Sequence, residues 1–240
     1  MSEERLDKTV ALALTVTRSE ARGLIKKGCV CVNGRVVKDS AFKTDTEIDE
    51  ITVNGKSVRA EKFVYIMLNK PKGVVSASRD GRDKTVVDIL PDDMKRRGLF
   101  PAGRLDKDTT GFSIITDDGD FAHNILSPSH HVEKTYIAVL SSPVDEQLVC
   151  KSFAEGISLA DGTVLLSARA RQLSGGENPV FEVIIKEGKY HQVKRMFASL
   201  GTSVIELKRI KIGELPLDES LKPGEARYLT KEELLSVSEK

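Results

Sequence analysis

The sequence predicts an α+β protein: a small first domain, then a larger domain in which helices flank a mixed, largely antiparallel sheet. Two observations predict this class. Strand-like stretches come in pairs joined by short turns, and helices interrupt them irregularly, unlike the strict alternation of a parallel α/β fold. The chain has 240 residues, 40% of them hydrophobic, which suffices for one small and one medium core. We expect a first domain over residues 1–58, a linker over 59–62 and a second domain over 63–240.

Two short helices and two hairpins are predicted for the first domain. The first helix is predicted by apolar residues at helical spacing, Leu6, Val10 and Leu14. Thr17 and Glu20 have the spacing of a capping box, which predicts a second helix over about residues 18–27. Asn-Gly pairs at 33–34 and 54–55 favour tight hairpin turns.

Positive charge is segregated along the chain, although the net charge is only +1. Seven Lys or Arg residues lie between positions 18 and 43, and seven more between 186 and 211, each set beside only two acids. A solvated helix face is the common alternative for such a run, but the first set continues from the second helix into the hairpin. Local basic patches on a neutral protein favour an RNA footprint. The cations expected to contact RNA phosphates in the first domain are Arg18, Arg22, Lys26, Lys27 and Arg35.

Cysteine usage and hydropathy indicate the cellular compartment in which we expect the protein. The three cysteines lack metal or redox spacing, and an odd number of thiols fits a reducing cytoplasm, where we expect the protein. The N-terminus is charged and no apolar run approaches the length of a membrane span. We therefore expect neither a signal peptide nor a membrane segment.

The elements of the second domain follow from apolar runs and turn residues. Its predicted strands cover residues 63–68, 112–116, 134–140, 164–171, 180–186 and 204–212. Its predicted helices cover residues 120–126, 143–155 and 190–200, with a last helix capped by Thr230.

The stretch GRLDKDTTGFSIITDDGD, residues 103–120, organises the second domain. It places Asp106 in a polar turn directly before a buried strand, which is a rigid place for a reactive carboxylate. A surface ion pair with Arg104 is the ordinary alternative. A calcium loop opening with Asp106 and Asp108 is a second alternative, but its twelfth position is Asp117 rather than Glu, and a strand follows where a helix is required.

A metal site is not predicted elsewhere either. His130 and His131 lie near Asp117 and Asp118 in sequence, but no helix holds them at ligand spacing. We expect no bound metal.

Four motifs, in the same order along the chain, resemble those of the RNA pseudouridine synthases, in the RsuA-type branch that acts on ribosomal RNA. They are NKPKG at 69–73, GRLDKDTTGFSIITDDG at 103–119, EKTY at 133–136 and EGKYHQVKRM at 187–196. The first domain resembles an S4-type RNA-binding domain. The resemblance covers nearly the whole chain; its one small departure is FS at 112–113, where the family has two aliphatic residues.

The resemblance implies the chemistry and the roles of four residues. Asp106 acts at the sugar of the target uridine, by attacking C1′ or by removing the 2′ proton. Tyr136 stacks on the target base and helps to remove its C5 proton. Lys194 pairs with the aspartate, because an adjacent cation favours the charged carboxylate. Arg104 fills the gap left by the flipped nucleotide. Isomerisation needs no oxidant, water or added group, so we expect no cofactor.

The resemblance also implies a set of substrate contacts and a target. Further residues expected to contact RNA or the substrate are Asn69, Lys70, His191, Gln192 and Arg195. The stretches HHVEKTY at 130–136 and KYHQVKRMF at 189–197 favour a uridine of small-subunit ribosomal RNA as the target. We expect the protein to act as a monomer on an assembly intermediate of the small subunit. One alternative is a large-subunit synthase of the same family. Another is a non-catalytic RNA-binding assembly factor, which the intact Asp106, Tyr136 and Lys194 disfavour.

Overall fold

Helices and mostly antiparallel strands alternate irregularly in the computed structural model, which confirms the predicted α+β class. The structure describes residues 3–14, 16–45, 48–58, 63–127, 130 and 132–238. It divides into two compact units, Met1–Val64 and Tyr65–Lys240. The expected linker at 59–62 lies outside the described residues, so its boundaries stay a prediction.

The first unit contains helices α1 (Leu6–Leu14) and α2 (Arg18–Lys26). Its strands are β1 (Glu4–Arg5), β2 (Val30–Val32), β3 (Arg35–Val36), β4 (Lys43–Thr44), β5 (Ile51–Val53) and β6 (Lys56–Val58). Four of these strands form an antiparallel sheet in the order β3-β2-β5-β6. The predicted capping box is present, since Thr17 Oγ1 accepts from the Glu20 amide and the Glu20 carboxylate accepts from the Thr17 amide.

Both predicted hairpins form in the first unit, because Asn and Gly tolerate the positive φ that a tight turn demands. Asn33 and Gly34 have φ of 51° and 76°, and Asn54 and Gly55 have φ of 51° and 75°. The hairpins and the two helices enclose one apolar cluster whose fully buried members are Leu6, Val10, Ala21, Ile25 and Val30.

The second unit is built on one nine-stranded sheet. The strands of the second unit are β7 (Tyr65–Lys70), β8 (Phe100–Pro101), β9 (Thr110–Thr116), β10 (Lys134–Leu140), β11 (Ile157–Ser158), β12 (Val164–Leu165), β13 (Arg169–Ser174), β14 (Val180–Ile185), β15 (Val204–Ile212), β16 (Leu215–Pro216) and β17 (Ala226–Tyr228). Its helices are α3 (Gly119–Leu126), α4 (Glu146–Glu155), α5 (Gln192–Ser199) and α6 (Lys231–Ser238).

The sheet order is β13-β14-β10-β15-β9-β7-β17, with β16 beside β15 and β8 beside β9. All its pairs are antiparallel except β15 with β9, where Lys208 aligns with Thr110 and Arg209 with Gly111. Gly111 has φ of +96°, and a Cβ there would lie 2.2 Å from the Arg209 carbonyl oxygen. Only glycine therefore allows this close strand pairing, directly after the Asp106 loop.

Several predicted strand boundaries differ from the structure, and two of them bear on the site. The first strand of the body does not end before Asn69 and Lys70; both lie within β7 and pair with Phe112 and Gly111 of β9. The strand predicted over 164–171 is interrupted at 166–168, where the Leu166 amide donates to a Glu187 carboxylate oxygen at 2.7 Å instead of to a neighbouring strand.

Two predicted helix starts were also too early. The helix predicted from residue 190 begins at Gln192, because His191 has the left-handed conformation, with φ of 49° and ψ of 33°, which a right-handed helix excludes. The helix predicted from residue 143 begins at Glu146, where the Asp145 side chain caps it.

Candidate active site

Asp106 follows Leu105 in the loop between β8 and β9. The Leu105 side chain is buried, and Ser76 holds its backbone: Ser76 Oγ accepts from the Leu105 amide at 3.0 Å and donates to the Leu105 carbonyl oxygen at 2.9 Å. The Asp106 carboxylate remains 27% exposed. A buried neighbour and a two-point clamp thus fix the backbone that carries an accessible carboxylate. Sequence analysis missed Ser76, because its contact with Leu105 spans 29 positions and has no local pattern.

Lys70 supports the other side of this loop from inside the protein. Its side chain is fully buried, and Nζ donates to the carbonyl oxygens of Thr109 at 2.7 Å, Pro71 at 3.2 Å and Lys107 at 3.3 Å. Burial lowers the pKa of Lys70 to about 8, although the charges of Asp108 and Asp106 act in the opposite direction.

The expected RNA contacts of Lys70 and Asn69 therefore need correction. The Lys70 ammonium is enclosed by carbonyl oxygens of its own chain, and the buried Asn69 amide donates to the Leu221 carbonyl oxygen at 2.8 Å. Buried polar groups need hydrogen-bond partners inside the protein, and both of these side chains have them. Both side chains therefore hold backbone in place.

Lys194, on α5, joins two carboxylates of the loop. Its Nζ lies 3.2 Å from Asp106 Oδ2 and 2.6 Å from Asp108 Oδ1. Burial favours a lower pKa for Lys194, but hydrogen bonds with Asp108 and Asp106 outweigh it and raise the pKa overall. The same hydrogen bond lowers the pKa of Asp108.

Asp108 is thus part of the site, although we considered it in the sequence only as a calcium ligand. Its position two residues after Asp106 was the available signal, since a short turn can direct both side chains at one cation. Asp108 is the closer partner of Lys194 and therefore fixes the ammonium that faces Asp106.

His191 approaches the same aspartate from the other side of its carboxylate. His191 Nε2 lies 3.4 Å from Asp106 Oδ1, and the imidazole stacks on the ring of Tyr190, with centroids 3.8 Å apart. Asp106 therefore has a nitrogen partner at each oxygen, Lys194 at one and His191 at the other.

Tyr136 lies on β10, opposite Arg209 on the neighbouring β15. The Tyr136 ring is buried, and its hydroxyl is 3.5 Å from Arg209 Nη1. Arg209 Nε donates to the Phe112 carbonyl oxygen at 2.7 Å, so the guanidinium joins β9 to β10.

Lys134, at the start of β10, is another buried cation. Its Nζ donates to the Val132 carbonyl oxygen. Burial, together with the charge of Arg209, lowers the pKa of Lys134 to about 8.

Arg209 was missed as a member of this site. The available signal was the two-residue period of its strand, which places Arg209 on the same inward face as Leu207. Leu105, Tyr136, Val193 and Leu207 share one apolar cluster, so the Asp106 loop, β10, α5 and β15 meet over a common core.

The remaining predicted residues of the body differ in their surroundings. Arg104 is exposed and makes no ion pair within the described residues. Arg195 pairs with Asp161. Gln192 was expected to contact substrate, but its side chain is buried and donates to Glu187 Oε1 at 3.0 Å, so this prediction was wrong.

In the first unit, two predicted RNA contacts have an internal partner. Asp7 is fully buried and accepts from Arg18 Nη2 at 2.8 Å and from Arg22 Nε at 2.7 Å. The other predicted cations are exposed, with no ion pair to the described part of the chain: Lys26, Lys27 and Arg35.

Two known protein families match this chain. The family described as RNA pseudouridylate synthase matches residues 64–199, and the S4 domain matches residues 4–47. The chain belongs to the RNA pseudouridylate synthase family. The protein is therefore an enzyme, an isomerase, and the resemblance found in its four motifs is confirmed.

The synthase has relatives that match it over nearly the full length. It is 42% identical to an uncharacterized RNA pseudouridine synthase of Bacillus subtilis (strain 168), over 98% of each chain. It is 46% identical to the ribosomal small subunit pseudouridine synthase A of Vibrio vulnificus (strain CMCP6), over 97% of this chain and 99% of the relative. A crystal structure of a pseudouridylate synthase, 40% identical, aligns with a TM-score of 0.68 over 97% of this chain and 99% of that one.

Neither a metal-binding cluster nor a membrane-spanning helix is present among the described residues of the synthase. No group of three or more His, Cys, Asp or Glu side chains there could hold a metal ion. No helix in the described ranges is long and apolar enough to cross a bilayer.

Proposed function

We propose that this synthase converts one uridine of small-subunit ribosomal RNA into pseudouridine, with Asp106 as the reacting carboxylate. The observation that carries the chemistry is the accessible Asp106 carboxylate held between Lys194 and His191 on a clamped loop. The target is supported by relatives named ribosomal small subunit pseudouridine synthase A, from Vibrio vulnificus and, at 41% identity over 97% of this chain, from Escherichia coli (strain K12).

The reaction exchanges one bond for another without a net loss of atoms. The N1–C1′ bond breaks, the uracil turns, and a C5–C1′ bond forms; the proton leaves C5 and N1 gains one. Asp106 assists the first step at the sugar, either as a nucleophile at C1′ or as a base toward the 2′ proton. Tyr136 supports the freed base and helps to remove the C5 proton. Lys194 and His191 hold the carboxylate in one orientation, because both of its oxygens have partners.

The target base must leave its stack before the carboxylate can reach the sugar. Extruding a nucleotide costs a few kcal/mol, and least in loops and single strands. Arg104 is exposed beside Asp106 and fills the gap that the nucleotide leaves. The substrate is therefore an accessible uridine in structured RNA.

RNA affinity and chemistry are divided between the two domains. The first, over residues 1–58, positions RNA through phosphates with Lys26, Lys27 and Arg35, while residues 63–240 carry the reaction. Arg195 adds a weaker phosphate contact near the site, since Asp161 already pairs with its guanidinium. The enzyme acts in the cytoplasm as a monomer, on an assembly intermediate of the small subunit.

The test uses purified protein with naked small-subunit ribosomal RNA, the same RNA bound to ribosomal proteins, and large-subunit RNA. Pseudouridine is mapped by nucleotide, with Asp106→Asn as the inactive control. We expect one modified position in small-subunit RNA, and loss of turnover by at least roughly 1,000-fold in the variant, with RNA affinity kept within about twofold.

Three results would contradict parts of this proposal. Modification of large-subunit RNA alone would replace the target with the large-subunit alternative. Turnover near wild type in Asp106→Asn would remove Asp106 from the chemistry. Tight binding without any pseudouridine would favour the non-catalytic assembly factor.

A further inference from the structure

Two buried polar side chains, Glu187 and Gln192, fix the segment between β14 and α5. Glu187 Oε1 accepts from the Gln192 side-chain amide at 3.0 Å and from the Leu166 amide at 2.7 Å. Gln192 Oε1 in turn accepts from the Lys189 amide at 3.0 Å. Both ends of the segment are therefore tied to the core, and Tyr190 lies between them.

His191 has the left-handed conformation, with φ of 49°. Such a conformation is unfavourable for a non-glycine residue and persists where the surroundings fix it, most often at functional sites. Here it accompanies an imidazole with two defined contacts, Asp106 Oδ1 at 3.4 Å and the Tyr190 ring at 3.8 Å, with ring planes 17° apart. The segment is held, and the two rings are stacked beside the reacting carboxylate.

Tyr190 presents its ring to solvent. It is 72% exposed, the highest value among the large hydrophobic side chains in the described ranges apart from Ile48 at 74%. Two other aromatic residues are exposed there, Phe42 at 42% and Tyr228 at 44%. Of these three aromatic residues, Tyr190 alone stacks on a side chain that contacts Asp106.

The two cations that follow this ring on α5 already have carboxylate partners. Lys194 contacts Asp106 and Asp108, and Arg195 contacts Asp161. Paired cations attract phosphates less than free ones, so the exposed feature that remains on this segment is the aromatic face of Tyr190. The chemical group that such a face binds in RNA is an unpaired nucleobase, since every base can stack on an aromatic ring.

We propose that Tyr190, backed by His191, is a stacking platform for the nucleobase next to the target uridine. The inference rests on the proposed function, because Asp106 defines where the uridine lies. When the uridine flips toward Asp106, its neighbour loses a stacking partner, and the tyrosine ring replaces it. The platform therefore lowers the cost of flipping and favours targets whose neighbour is unpaired.

The test is a double-mutant cycle between the protein and the RNA. The RNA is a fragment around the position identified by pseudouridine mapping, prepared with an intact base or with an abasic site at each flanking position. The proteins are wild type, Tyr190→Ala, Tyr190→Phe and Tyr228→Ala, which is the matched control at an exposed tyrosine outside the proposed platform. Affinity is measured for each pair in the Asp106→Asn background, and single-turnover rates are measured with Asp106 intact.

We expect Tyr190→Ala to weaken binding of intact RNA by roughly 5- to 100-fold, as loss of one stacked base does, with Tyr190→Phe close to wild type and Tyr228→Ala unchanged. One abasic position should weaken wild-type binding to the same extent and have little further effect in Tyr190→Ala. A change in the His191–Asp106 contact alone would lower the rate of Tyr190→Ala on both RNAs and leave the two losses of affinity additive.

Additive losses at both flanking positions, or wild-type affinity in Tyr190→Ala, would overturn the platform. Failure of the proposed function gives a different result, namely no pseudouridine from wild-type protein on intact RNA. In that case the affinity cycle, run on the small-subunit RNA segment that the protein protects from nuclease, still decides whether the ring binds a base.

Discussion

The basic surface of the first unit and the basic face of α5 have similar compositions but opposite surroundings. Lys26, Lys27 and Arg35 are exposed and form no ion pair with other described residues. On α5, Lys194 contacts Asp106 and Asp108, and Arg195 contacts Asp161. Free cations bind phosphates and release counterions, whereas paired cations hold carboxylates in place. The first surface therefore suits affinity, and the second suits chemistry.

The same contrast appears within α2 itself. Arg18 and Arg22 share the buried carboxylate of Asp7, while Lys26 on the same helix has solvent around it. Burial favours a raised pKa for Asp7, but hydrogen bonds from Arg5, Arg22 and Arg18 hold the pKa well below its usual range. The role of each cation thus depends on whether a carboxylate lies within reach, not on the local density of positive charge.

Among the cations, the largest expected effect comes from removing the paired lysine of α5. Lys194→Met leaves Asp106 and Asp108 without their shared ammonium, and should lower the single-turnover rate by roughly 100-fold while RNA affinity stays within about threefold. The expected loss lies below that for a fully buried pair, because Asp106 keeps 27% exposure. Lys194→Arg should retain part of the rate.

Arg195→Ala is the matched control for Lys194→Met, because it removes the neighbouring cation of the same helix. Its partner is the exposed Asp161, so the rate should change by less than about threefold, with the larger effect on affinity. A greater loss of rate in Arg195→Ala than in Lys194→Met would reverse the roles assigned to the two cations.

A smaller effect is expected from Lys70, a cation held by carbonyl oxygens. Lys70→Met frees the carbonyl oxygens of Lys107 and Thr109, next to Asp106. A displacement of about 1 Å can cost roughly 100-fold in rate. Because Ser76 still clamps the loop, we expect roughly tenfold, with RNA affinity unchanged. An unchanged rate would show that Ser76 alone holds the loop.

Stability against pH gives an independent check on Lys70. The pKa is about 8 in the folded protein and 10.5 ordinarily, so between these values the unfolded chain binds more protons. The free energy of unfolding should therefore rise with pH from about 8 toward 10, and Lys70→Met should reduce this rise. The pKa of Lys134 is also about 8. Lys134→Met should therefore reduce the rise in unfolding free energy to a similar extent, with a smaller loss of rate than Lys70→Met.

The motifs predicted the family, and the local patterns predicted most elements, because caps, Asn-Gly turns and alternation are properties of neighbouring residues. The contacts that shape the site are not local. Ser76 with Leu105, and Lys70 with Thr109, join residues 29 and 39 positions apart. Motif matching therefore located Lys70 near the active site but assigned it to RNA, since sequence does not reveal which way a strand-end side chain faces.

Partner choice also limits what the sequence can predict. Sequence analysis assigned Arg18 and Arg22 to phosphates because the nearest acids in sequence are few, yet Asp7 reaches both from the preceding helix. Gln192 lies in a motif full of functional residues, but Glu187 occupies its amide inside the core. The composition gives the number of charges along the chain, but the fold determines which cations pair with a carboxylate.

The smallest expected effect, and the most direct test of the contrast, is the salt dependence of RNA binding. Replacing Lys26 and Lys27 by Ala should lower the slope of log Kd against log salt by about one unit for each lost phosphate contact, without changing thermal stability. Arg22→Ala should instead destabilise the first unit by about 2 kcal/mol, because the buried Asp7 loses a charged hydrogen bond.

Filter binding at four salt concentrations and hydrogen exchange of α1 and α2 separate the two outcomes. The lysine variant should have a changed slope with unchanged exchange, since both side chains are exposed and lack carboxylate partners among the described residues. Arg22→Ala should accelerate exchange at Asp7 and its neighbours, because that pair stabilises the packing of α1 on α2. An equal slope change without faster exchange in Arg22→Ala would mean that Arg22 contacts phosphate in spite of Asp7, and that ion pairing does not separate binding cations from structural ones.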